Sequence, residues 1–230
     1  MTRILYGLCG SDIERHFSPH VWKSIMSLKH KGLEFELKPV PFTAVPGIEG
    51  GCSKTVPVLK DGDKIISDSF AIALYLDEAY PDRPSLFGGE GGKAMARFVE
   101  GYSQNVIHTA ITKAILLDIY NMLAPKDQEH FRRTREARFG MTLEEVAAEH
   151  QAAVAAFPQT LVPIRHTLSY QPWIGGQHPL FCDYILFGAL QWARICSPAK
   201  LLPEGDPATD WFERCLDLYE GTGRSVAAAA

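Results

Sequence analysis

At Pro81 the character of this sequence changes, and the change limits what the chain can fold into. Across PDRPSLFGGEGG, residues 81–92, prolines and glycines crowd together as they do in a linker. Before that stretch, short strand signals alternate with helical ones. After it, strand signals disappear and apolar residues recur at helical spacing. A chain divided this way predicts an α/β unit over residues 1–80 and an all-α, helical-bundle unit over residues 93–230. At 230 residues there is enough length for two modest domains sharing an interface.

The first unit can be read element by element. Ile4, Leu5, Tyr6 and Leu8 make Arg3–Leu8 a nearly continuous apolar strand. Val21, Ile25 and Leu28 repeat at helical spacing in Pro19–Lys31, and Lys31-Gly32 supplies a stop. Phe35–Val40 reads as a second strand. Pro57–Lys60 and Lys64–Ser67 flank Asp61-Gly62, a strong hairpin turn. Ser69–Ala79 then reads as a helix. Strand-helix-strand followed by a hairpin and a helix fits a thioredoxin-like half. Beyond the linker, helices are expected over Lys93–Met122, Lys126–Arg138, Leu143–Ala156, Leu161–Tyr170, Phe181–Cys196 and Pro207–Tyr219.

Charge and composition exclude several functions. A net charge of −4 argues against a dedicated nucleic-acid binder, although a local basic pocket for a small anion remains open. No apolar run approaches the ~20 residues that cross a bilayer, so no membrane partner is expected. MTRILYGLCG lacks a charged segment followed by an apolar stretch, so no secretory signal is expected. The five cysteines are scattered and never form CxxC, which suits a reducing cytoplasm and neither disulfides nor zinc. The histidines form no HExxH, and Ser18-Pro19 keeps His16 and His20 off one helical face, so no metal is expected. Gly88–Lys93 only superficially resembles a phosphate loop. Phe87 stands where its first glycine belongs, and Ala94 where a hydroxyl is needed.

Three short signals could carry chemistry. Ser18-Pro19 is an ordinary helix start. The same geometry also offers unpaired N–H groups, the positive end of a helix dipole and a hydroxyl, all of which stabilise a thiolate. Val56-Pro57 either marks a strand edge or is a cis bond that frees the Val56 backbone to pair with a peptide ligand. Asp68-Ser69 either caps the following helix or holds an α-amino-acid head group, with Asp68 on the ammonium and Ser69 and nearby amides on the carboxylate.

The order and spacing of these signals carry a resemblance. SPHVWKSIMSLKHKGLEFE, TVPVL, SDSFAIALYLDEAYPDRPSLF and FCDYILFGAL resemble glutathione S-transferases of the serine-type classes, over nearly the whole chain. The resemblance implies a thioredoxin-like domain that binds glutathione and a helical domain that completes the site for a small hydrophobic electrophile. It gives Ser18 the role of thiolate stabiliser, Val56-Pro57 that of cis-proline clamp, and Asp68-Ser69 that of γ-glutamyl site. It makes Asp183 a buried folding element, and it implies a homodimer.

Finer likeness, in the DRPSLF linker and DPATDWFERCLDLYEGTGR, points to bacterial β-aryl etherases and their fungal relatives. There are two departures. Leu180 stands where many relatives have a capping serine, threonine or asparagine. Thr55 stands where many have a lysine, arginine or glutamine, which makes Lys54 the candidate partner of the glycyl carboxylate. Tyr6 is the rival to Ser18. Tyr102, Val106, Ile107 and Tyr120 are candidates for the second pocket, and His108 could face the same cleft. The alternatives are a non-catalytic glutathione-binding module and a glutathione-dependent isomerase. A thiol-disulfide oxidoreductase is disfavoured, because no cysteine occupies position 18 and Cys9 lies in the preceding loop.

Overall fold

The computed structural model describes residues 2–230. Strand β1 (Arg3–Leu8) is the hub of a four-stranded sheet ordered β2-β1-β3-β4. Strand β2 (Glu36–Val40) runs parallel to it, while β3 (Val58–Asp61) and then β4 (Lys64–Ser67) add antiparallel. A parallel neighbour needs a crossover, which helix α1 (Pro19–His30) provides. The antiparallel hairpin of β3 and β4 needs only a tight turn, and Gly62 takes a left-handed φ of 59° there. Flanked on both edges, β1 buries its last four residues, which accounts for its apolar run. Helix α2 (Ser69–Ala79) completes the thioredoxin-like domain.

Helix α1 begins with Ser18 as N-cap and Pro19 at its first position. It closes at Gly32, whose φ of +62° lets its N–H reach Lys29 O at 2.9 Å while Leu33 N–H reaches Leu28 O at 3.0 Å.

The rest of the chain is helical: α3 (Glu90–Tyr102), α4 (His108–Asn121), α5 (Pro125–Phe139), α6 (Leu143–Ala147), α7 (His150–Thr160), α8 (Val162–Leu168), α9 (Phe181–Cys196) and α10 (Pro207–Gly221). Two expected helices are broken. Lys93–Met122 is interrupted by a single π turn, Ser103–Ile107, between α3 and α4. Leu143–Ala156 divides into α6 and α7. Helix α3 also starts at Glu90, inside the stretch read as linker. No described helix is long and apolar enough to cross a membrane.

Helix α9 runs through the middle of the molecule and is buried along nearly its whole length. Asp183 fixes its start. Fully buried, it accepts N–H groups from Ile174 (2.8 Å), Gly175 (2.9 Å), Leu180 (2.9 Å) and the Trp211 indole (2.9 Å). Leu180 supplies no side-chain cap, so the Asp183 carboxylate satisfies the amide of the capping residue instead.

Gly188 lets α1 come close: a Cβ there would sit 2.4 Å from the Pro19 carbonyl oxygen, inside contact distance. Trp22 meets Phe187 edge-on at 6.0 Å, and Phe70, Phe87 and Phe181 cluster with centroids 5.3 to 5.6 Å apart. One apolar core therefore runs through both halves and holds the start of α1 against α9.

Candidate functional site

A cavity of about 520 Å³ opens between the two halves, and its sheet-side wall includes Ser18, Lys54 and Val56. Ser18 is only 4% exposed. Its oxygen accepts Val21 N–H at 3.4 Å, a long cap bond that engages a lone pair and leaves the hydroxyl proton for something in the cavity. Capping and thiolate binding are thus compatible at this serine. The Val56–Pro57 bond is cis. Among the described residues, no hydrogen bond takes up the N–H or C=O of Val56, so both remain for an extended ligand.

Pro57 is buried behind Val56, and its carbonyl accepts Asp68 N–H at 3.3 Å. That bond ties the proline to the start of α2. The Asp68 carboxylate caps α2: Oδ1 accepts Phe70 N–H and Ala71 N–H, each at 2.9 Å. Asp68 itself is exposed, at a left-handed φ of +79°, and its Oδ2 is not used by the cap. Ser69 is buried in the first turn. Neither Asp68 nor Ser69 lines the cavity that Ser18 and Val56 share.

The opposite wall differs from the one expected. None of Tyr102, Val106, Ile107 and Tyr120 lines the cavity. Tyr102 turns its hydroxyl to the Thr160 carbonyl, Ile107 is in the core, Val106 is exposed, and Tyr120 lies under the Arg132 guanidinium. Their places are taken by His108, Thr112 and Leu116 of α4, Phe131 and Arg135 of α5, and Trp192 of α9.

His20 at the start of α1 stacks on His108, with centroids 5.4 Å apart and planes 12° apart. His108 Nδ1 lies 2.9 Å from the Ser103 carbonyl, so that nitrogen carries the proton and Nε2 is a bare acceptor with no partner. Burial pushes the His108 imidazole down to about 4 and holds His20 well below the usual histidine range. The sequence contained no signal for this pair beyond the residues themselves. Their meeting depends on how α1 and α4 both pack on α9.

Comparison with known proteins identifies the lineage. The family model described as glutathione S-transferase, C-terminal domain matches residues 94–218, and that for the N-terminal domain matches residues 17–79. The chain belongs to the glutathione S-transferase family. Its fold is similar to that of a Ceriporiopsis subvermispora glutathione S-transferase crystallised in complex with glutathione. That comparison gives 26% identity and a TM-score of 0.79, with 99% of each chain covered. A glutathione S-transferase-like protein of Aspergillus flavus, ustS, is 25% identical over 209 residues, covering 78% of this chain and 75% of that protein. Glutathione S-transferase Z1 of Arabidopsis thaliana is 44% identical over 66 residues. That match spans 26% of this chain and only 30% of the plant protein's length.

Tyr6 does not line the cavity. Its hydroxyl donates to the Glu49 carboxylate, which also takes the Lys60 ammonium at 2.8 Å. Burial and that carboxylate raise the phenol to about 12. Cys9, also outside the cavity, is buried, and burial pushes its thiol up. Neither group is placed or poised to handle a thiolate at the start of α1.

Proposed function

We propose that this protein is a glutathione transferase in which Ser18 stabilises the glutathione thiolate for attack on a small electrophile. The observation that carries the reading is the convergence of Ser18 and Val56 on one cavity wall. The first offers an uncommitted hydroxyl proton at a helix start, the second an unpaired backbone N–H and C=O. Glutathione lies along β3 with its peptide paired to Val56, behind which Pro57 fixes the strand. Its γ-glutamyl ammonium meets the outward Oδ2 of Asp68, with Ser69 and the first amides of α2 nearby, and its glycyl carboxylate meets Lys54. The sulfur then sits at the start of α1, where the Ser18 hydroxyl and the helix dipole favour the ionised form. The sulfur bonds to the electrophilic carbon, the leaving group departs with its electron pair, and the thiol proton passes to solvent.

Here the glutathione-binding domain ends with α2 and the helical domain supplies the apolar pocket. A homodimer belongs to the same reading, supported by Phe98 and Met95 on α3, which are 74% and 41% exposed. So does a cytoplasmic location, supported by five free cysteines. Etherase-type cleavage is the finer form of the proposal. The thiolate would displace a phenolate from the carbon beside a ketone, as the resemblance to β-aryl etherases suggests.

The test is glutathione-dependent turnover on an aryl ether ketone, a halonitroarene and a maleyl compound. Release of phenol supports the etherase form, and loss of halide supports general conjugation. Isomerised product alone replaces transfer by isomerisation. Glutathione binding without turnover of any of the three leaves a binding module.

A further inference from the structure

We propose that the electrophile accepted by this cavity carries a carboxylate or similar oxyanion, held at the α5 end by Arg135 with Arg138 beside it. The inference rests on the transferase reading of the same cavity. Acids outnumber bases in the chain, 27 to 23, yet no aspartate or glutamate lines the cavity, whereas Lys54, Lys113, Arg135 and Arg138 do. Lys54 lies on the sheet side, next to Val56, and Lys113 is paired with Glu149 at 3.4 Å. Among the described residues, neither Arg135 nor Arg138 has a carboxylate partner, although Arg132 on the same helix has two.

The contrast with Arg132, one turn earlier on the same helix, is sharp. Arg132 is neutralised by Glu136 at 2.8 Å and by both oxygens of Glu144 at 2.7 and 2.9 Å. Arg135 instead lies against an aromatic pair, 4.8 Å from the Phe131 centroid and 5.9 Å from that of Phe42, the two rings meeting edge-on at 5.8 Å. Its one side-chain hydrogen bond among the described residues goes to Thr134 Oγ1 at 3.3 Å, leaving most of its donor fork open.

A half-buried guanidinium flanked by a second cation and no anion is an unfavourable arrangement until an anion arrives. Both burial and Arg138 push the Arg135 guanidinium down. A carboxylate would accept two parallel N–H groups from such a fork, which a neutral amide of the same shape cannot do. The aromatic faces of Phe131 and Phe42 fix the guanidinium and offer an apolar bed for the ring that bears the anion. The substrate class that fits is an aromatic or unsaturated acid, with its reactive carbon toward Ser18 and its carboxylate toward α5.

The test uses two glutathione thioethers that differ in one group, one of a nitrobenzoate and one of the matching nitrobenzamide. Their affinities are measured by calorimetry at low salt alongside that of glutathione itself. The wild-type protein should bind the carboxylate at least ~10-fold more tightly than the amide. Arg135→Gln should reduce that preference to about 2-fold, with Arg138→Gln intermediate, and glutathione affinity should hold within about 2-fold in both. Arg135→Lys should restore part of the preference, and unchanged melting temperatures would exclude misfolding.

Equal affinity for the two thioethers in the wild-type protein overturns the proposal, as does a preference that survives both substitutions. An equal loss of affinity for glutathione itself also overturns it, because the arginines would then serve the peptide's own carboxylates. Failure of glutathione to bind at all removes the transferase reading, and this inference falls with it. The separate glutathione titration distinguishes that case from the others.

Discussion

Helices α1 and α9 pack against each other, and each begins with a polar side chain turned on backbone amides. At α9 the Asp183 carboxylate is fully buried and takes four N–H donors, three from the backbone and one from Trp211. At α1 the Ser18 oxygen holds one amide at 3.4 Å and faces a cavity. Ser18 is the N-cap of its helix, whereas Asp183 stands at the third position of α9 and reaches back to the amide of the capping residue Leu180. What separates them is saturation. Where every lone pair is used and water is excluded, the residue can only hold the fold together. Where the cap is loose and a proton is free, a polar group at a helix start can act on a ligand.

That difference is sharpest on substitution. Asp183→Ala strips the carboxylate from four buried donors, and the cost should be about 3–5 kcal/mol. Chemical denaturation should show a large fall in midpoint, or no folded protein, while any folded fraction keeps its affinity for glutathione. A loss below about 1 kcal/mol would mean that Asp183 is not the structural anchor its bonds describe.

Acid offers a second way to separate the scaffold from the site. His108 is neutral in the folded chain, with a pKa lowered from 6.5 to about 4 by burial. In the unfolded chain it takes up a proton as pH falls through 6.5, and the folded chain does not follow until about 4. Stability is therefore intact above pH 6.5 and declines toward pH 4, by roughly 3 kcal/mol from this group alone. His108→Gln should flatten that part of the pH profile of unfolding. An unchanged profile would mean that His108 titrates freely in the fold.

Ser18→Ala comes next. Turnover should fall 10- to 100-fold, roughly 1–3 kcal/mol, because one donor to the thiolate is lost while the α1 amides remain. Glutathione affinity should change far less, since in the proposed binding mode Asp68, Ser69, Lys54 and Val56 would hold groups remote from sulfur. The absorbance titration of bound thiol should move to higher pH. Loss of affinity in step with turnover would make Ser18 a general binding contact rather than a thiolate stabiliser.

These comparisons also show which parts of the molecule could be read from the sequence. The bounds of β4 and α2 follow from purely local chemistry, the Asp61-Gly62 turn and the Asp68 cap. The second pocket did not. Tyr102 and Val106 are candidates on an expected continuous helix, Lys93–Met122, but the π turn at Ser103–Ile107 adds a residue and separates α3 from α4. Gln104 and His108 consequently reach the cavity, and their neighbours do not. Nothing in the sequence distinguishes Arg135 and Arg138, three apart on a charged helix, from a solvated face. Only the loop after β2, which places Phe42 over α5, makes them part of a site. That loop is held by buried Asp127 on α5, which accepts Phe42 N–H at 3.1 Å and Thr43 N–H at 2.9 Å, contacts that span 85 and 84 positions in sequence. At Asp68 both sequence readings survive, because Oδ1 caps the helix and Oδ2 faces outward.

The smallest expected effect is the one that tests the choice between the two hydroxyls. Tyr6 stands on the central strand, and some transferase classes place a catalytic tyrosine at the end of this strand, so sequence alone kept it as a rival. Its hydroxyl donates to Glu49, and its pKa near 12 means that it holds its proton firmly toward that carboxylate. To assist a glutathione thiolate it would have to abandon Glu49, leave that carboxylate with Lys60 alone, and reach a cavity that it does not line. Tyr6→Phe keeps the ring in the core and removes only the hydroxyl. Turnover should therefore change less than about 2-fold, far below one pKa unit's worth of thiolate stabilisation. The pH dependence of the bound thiol should be that of the wild-type protein. A collapse of turnover in Tyr6→Phe with Ser18→Ala unaffected would reverse the assignment. It would also require Glu49, now a structural partner on the far side of the strand, to be re-read as the group that positions the catalytic phenol.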